Sequence, residues 1–133
     1  MRRIMNIALA MAASLALSAA GHNPVANPEA VVTQGVVRFT VLTPEMIRIE
    51  YSPSKEFEDR ATFTVVNRNL PVPHFTKSED NDFLYITTDK LKLKYRKGTN
   101  PYFEPNPPGN LTITMDLNGT PVTWFPGQGD GRN

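Results

Sequence analysis

The sequence predicts an all-β protein, an antiparallel β-sandwich, and three observations carry that prediction. After the first twenty residues, no stretch of ten or more shows helical periodicity. Apolar residues recur instead at every second position in short runs, such as Val37, Phe39 and Val41 or Leu91, Leu93 and Tyr95. Twelve prolines and eight glycines punctuate the chain and supply turns at the spacing of sandwich strands. About seven or eight short strands result, folded as two packed antiparallel sheets.

Residues 1–20 do not belong to that fold. Arg2 and Arg3 precede an apolar run from Ile4 to Leu17, and small residues follow at Ser18, Ala19, Ala20 and Gly21. This is the charged, apolar and cleavage-site order of a secretory signal peptide, which places the mature chain in the periplasm or outside the cell. A membrane anchor needs about 20 apolar residues, and this run is shorter and interrupted by Asn6 and Ser14. Residues 21–33 are Pro-rich and polar, which reads as a linker, and residues 34–133 form the β-domain.

Within the domain, Val37, Phe39 and Val41 face one way, with Arg38 and Thr40 the other. Thr43-Pro44-Glu45 turns the chain into Ile47, Ile49 and Tyr51, which alternate with Arg48 and Glu50 on a wet face. These two runs are expected to pair as a hairpin. Pro53 stops the second, and Ser52 to Arg60 reads as a charged loop anchored by Phe57. Ala61, Phe63 and Val65 restart the alternation as a further strand, ended by Asn67, Pro71 and Pro73. Lys77 to Asp82 reads as a charged turn. Phe83 to Thr87 is apolar on both faces, so a place in the middle of a doubly covered sheet is expected. A turn at Thr88-Asp89-Lys90 leads to Leu91, Leu93 and Tyr95, with Lys92, Lys94 and Arg96 outward. Gly98 to Gly109 is a proline-rich loop around Tyr102 and Phe103. Leu111 to Leu117 is a strand, Asn118-Gly119 a hairpin turn, and Val122 to Phe125 the return strand, which Pro121 assigns to a sheet edge.

The motifs R-I-E-Y-S-P at Arg48 to Pro53, F-E-D-R at Phe57 to Arg60 and V-V-N-R-N-L-P-V-P at Val65 to Pro73 occur in this order. With Thr87 to Tyr95, Trp124-Phe125-Pro126-Gly127 and Asp130-Gly131-Arg132-Asn133, they make the chain after the leader resemble the N-terminal domain of glycoside hydrolase family 31. That family contains α-glucosidases and α-xylosidases. The resemblance implies a galactose-mutarotase-like β-sandwich, here incomplete, whose partner is a following (β/α)8 barrel that carries both catalytic aspartates. No position of this chain inherits those roles, so the chain alone is expected to be inactive. A second reading is a free-standing carbohydrate-binding β-sandwich whose partner is an oligosaccharide.

The residues themselves give no contrary chemistry. Glycoside hydrolysis needs two convergent carboxyl groups, and neither Glu56, Glu58 and Asp59 nor Glu79, Asp80 and Asp82 identifies such a pair; both groups read as solvated turns. His22 and His74 are the only histidines and there is no cysteine, so no catalytic residue, cofactor or metal ligand is assigned. The net charge of +1 gives no reason to propose nucleic acid or a membrane as partner. The Lys90, Lys92, Lys94, Arg96 row reads as protection of a strand against edge pairing rather than an acidic-glycan site. Asn110 and Asn118 open glycosylation sequons but sit where a strand start and a turn need them. Trp124 is expected in the core with Val122, and Tyr102 and Phe103 against a ligand or a covering domain.

Overall fold

A computed structural model of the chain describes residues 21–102 and 109–128; the leader, Phe103 and the 130–133 motif lie outside the described residues. Two antiparallel sheets make up the fold. In the first, β1 (Val31–Gln34), β2 (Val37–Thr43) and β3 (Met46–Tyr51) lie in that order. In the second, β4 (Phe75–Glu79), β5 (Phe83–Thr88), β6 (Leu91–Arg96), β7 (Leu111–Leu117) and β8 (Thr120–Trp124) form a five-stranded meander. The all-β, two-sheet architecture is the one the alternation predicts.

Period-2 patterning gives each sheet an apolar face. The β2–β3 hairpin sets Phe39 opposite Ile49 and Val41 opposite Ile47. The β5–β6 hairpin sets Leu84 opposite Tyr95 and Ile86 opposite Leu93. Val32, Val37, Phe39 and Val41 of the first sheet bury against Leu84, Ile86, Leu93, Tyr95 and Leu111 of the second. Each such aliphatic or aromatic side chain contributes about 1.5–3 kcal/mol when fully withdrawn from water. The β7–β8 turn is a type I′ hairpin, with Asn118 at φ 57° and Gly119 at φ 85°, the left-handed region that Asn-Gly tolerates best. Asp116 fastens it by accepting the Gly119 N–H at 2.6 Å. Asn118 thus serves the turn, and Asn110 donates its side-chain amide to the Asn100 carbonyl.

Several expectations fail, each for a non-local reason. The stretch read as a linker already contains a 3-10 turn, Pro28–Ala30, and β1, which pairs Val32 with Phe39. Ala61 to Val65 is not a strand: Thr62 N–H bonds the Val65 carbonyl in a tight turn, and Phe63 is fully exposed. Alternation there finds no partner strand. The converse holds at Lys77, where a charged segment read as a turn is strand β4. Edge strands commonly carry charges that discourage further pairing, and β4 is an edge. The run from Phe83 does lie inside its sheet, but only one face is buried, since Phe83, Tyr85 and Thr87 are half-exposed. Of the cationic row, Lys92, Lys94 and Arg96 sit on β6, the central strand, and Lys90 in the turn before it, so edge protection does not account for the row. Trp124 is 43% exposed and is not a core residue. The narrower sheet leaves β8 without cover, and every residue of β8 is exposed.

Candidate functional site

Residues 52–74 connect the two sheets without any regular element. Ordered loops of more than about 12–15 residues are uncommon and usually functional. This one does not stand off into solvent. It lies across the outer face of the first sheet, so Arg48 and Glu50, which alternation assigns to a wet face, retain only 14% and 13% side-chain exposure.

The polar face thus becomes an interior, and its charges have to be paired. Arg38 donates to both oxygens of Glu50, at 2.8 and 3.0 Å, and to Asp59 at 2.7 Å. Arg48 also pairs with Glu50. Burial disfavours the Glu50 carboxylate, but the bonds from Arg38 and Arg48 outweigh it and hold the group below the usual carboxylate range. Burial likewise works against the charge of Arg38, and Glu50 and Asp59 more than offset it.

Arg68, only 2% exposed, is the loop's deepest residue. Its guanidinium donates to the backbone carbonyls of Glu58 and Arg60, each at 2.6 Å, and Arg38 shares the Glu58 carbonyl at 3.0 Å. Burial, with Arg48 nearby, lowers the Arg68 pKa. The Arg68 N–H and the Asn69 N–H bond the Asn23 carbonyl, which ties the N-terminal segment to the same loop. The loop is therefore held by arginines. Phe57, read from sequence as its anchor, is half-buried with its ring 5.0 Å from the Arg38 guanidinium carbon. Arg68 carries no sequence signal beyond being a charged residue amid apolar and amide neighbours.

An open cleft of about 420 Å³ lies between this loop and β3, lined among others by Arg48, Ser52, Glu56, Phe57 and Tyr102. Tyr102 donates its hydroxyl to the Ile49 carbonyl, which pins a ring that is 54% exposed. Two of the acids that line the cleft, Glu50 and Glu58, are committed to arginines. Glu58 is gripped by the Arg60 guanidinium and backbone N–H, and its carboxyl is held down to about 2. Glu50 and Asp59 are in ion pairs with Arg38. A general acid needs the opposite, a carboxyl held protonated near neutral pH.

The second acid group is structural. Asp80 accepts the Asp82 and Phe83 N–H groups and the Tyr85 hydroxyl, which keeps its carboxyl low. Glu79 pairs with Lys77 and Lys97. His74 lies 3.5 Å from Asp89 at the surface. Among the described residues, no group of three or more metal-binding side chains converges, and no helix is long and apolar enough to cross a membrane.

Fold and site define a class, an all-β protein of two antiparallel sheets with one arginine-locked connecting loop. Neither a protein family nor a curated protein matches the chain in sequence.

Proposed function

We propose that this chain is the non-catalytic N-terminal β-sandwich, galactose-mutarotase-like, of an exported family 31 α-glycosidase. The ordered motifs from Arg48 to Gly127 support the reading. One structural observation carries it: the inner face of the five-stranded sheet continues past the core into uncovered apolar side chains. Leu117, Val122 and Trp124 are 53%, 39% and 43% exposed. Contiguous apolar surface of this kind marks an interface, and a further layer of the same enzyme would bury it. On this reading two barrel aspartates hydrolyse a terminal α-glucosyl or α-xylosyl bond with retention, and this chain is a scaffold.

The pinned, exposed ring of Tyr102 beside an open cleft favours a second reading, a free-standing carbohydrate-binding module. Reading the genomic DNA beyond the codon for Asn133 separates the two. Barrel-coding sequence, in frame or after a frameshift, supports the first. A stop followed by unrelated sequence removes it.

A further inference from the structure

Lys92, Lys94 and Arg96 stand exposed on the outer face of β6, which is paired along both sides. Alternate residues of a strand lie about 7 Å apart, so three like charges are held in a row. Among the described residues, no acid stands directly opposite them in the strand register. Thr87 and Thr114 flank Lys92, Tyr85 and Thr112 flank Lys94, and Phe83 lies opposite Arg96. The ion pairs among the described residues involve other cations. The described acids that border this face have other partners: Asp116, at the hairpin corner, accepts the Gly119 N–H, Asp80 accepts the Tyr85 hydroxyl and the Asp82 and Phe83 N–H groups, and Asp89 lies 3.5 Å from His74. Two of the cations are oriented by a ring: Lys94 Nζ lies 4.1 Å and the Arg96 guanidinium carbon 4.9 Å from the Phe83 centroid.

We infer that this face binds an anionic polysaccharide, carboxylated or sulfated, laid along β6 with its acid groups against Lys92, Lys94 and Arg96. Beside the cations the face presents threonine hydroxyls, which both donate and accept and so suit sugar hydroxyls. Nucleic acid fits less well. Three cations meet about three phosphates, where strong binders contact roughly 6–10. Base stacking would need a bare ring, and Phe83 is covered by the two cations. A net charge of +1 provides no broad attractive field to compensate. The inference goes beyond the glycosidase reading and stands without it.

Affinity electrophoresis of the whole chain through polygalacturonate, dextran sulfate and neutral dextran tests it, with a single-stranded oligodeoxynucleotide as competitor. At low ionic strength, retardation by polygalacturonate, by dextran sulfate or by both is expected, identifying the acid group, and none by dextran. Retardation should weaken with added salt. The combined variant Lys92→Gln, Lys94→Gln, Arg96→Gln should raise Kd at least tenfold at unchanged melting temperature, while Lys55→Gln in the distant loop should leave it unaltered. Undiminished binding by the triple variant, no retardation in either polyanion, or tighter binding of the oligonucleotide would each overturn the assignment.

Discussion

Phe39 and Tyr95 meet edge to face across the two sheets, with ring centroids 5.3 Å apart and planes at 61°. Both rings are fully buried, and the Tyr95 hydroxyl reaches the Thr99 carbonyl at 2.6 Å. This contact joins the sheets at the centre of the core. Phe39→Ala should cost about 3–5 kcal/mol, the range for a buried aromatic, read from urea unfolding. A loss under about 1 kcal/mol would mean that the sheets do not depend on it.

Arg68 locks the connecting loop through two carbonyls that a planar fork can reach together. Arg68→Lys keeps the charge but not the fork. It should therefore destabilise by about 2–3 kcal/mol, the scale of one or two charge-assisted bonds, and speed proteolysis between residues 52 and 74. Phe57→Ala should cost less, about 1–2 kcal/mol, because a cation–π contact and partial burial are all it loses. Equal effects would restore Phe57 as the anchor.

Glu50 makes stability depend on pH. Its carboxyl titrates below its ordinary value of 4.5 in the folded chain, so the unfolded chain binds the proton first as pH falls. The stabilisation is complete above about pH 4.5 and is lost as pH drops through the folded pKa. Glu50→Gln should cost about 3 kcal/mol at neutral pH, as for breaking a buried pair. That difference should shrink in acid. A constant difference from pH 7 to pH 3 would show that Glu50 acts through packing alone.

Trp124 is the single tryptophan, and it reports directly on the uncovered strand. Its native emission should lie near that of the unfolded chain and be quenched readily by acrylamide. Hydrophobic-dye binding and concentration-dependent association should fall in Trp124→Ser. A blue-shifted, unquenched tryptophan in a monodisperse, dye-silent monomer would mean that β8 is covered, and would remove the structural support for the fragment reading.

Strand and turn positions at β2, β3, β5, β6, β7 and β8 were legible in the sequence, because alternation and turn chemistry are relations between neighbours in the chain. Asn118-Gly119 is the clearest case: its left-handed dihedrals are a property of two residues. What covers each face is not written locally. Arg48 and Glu50 alternate like a solvent face yet are roofed by residues 52–74, while Val122 and Trp124 alternate like a core face yet are bare. The cationic row of β6 looks the same at an edge or a centre until β7 is known to pair with it. Periodicity divides a strand into two faces; only the reach of distant segments, three strands laid against five, decides which face is dry.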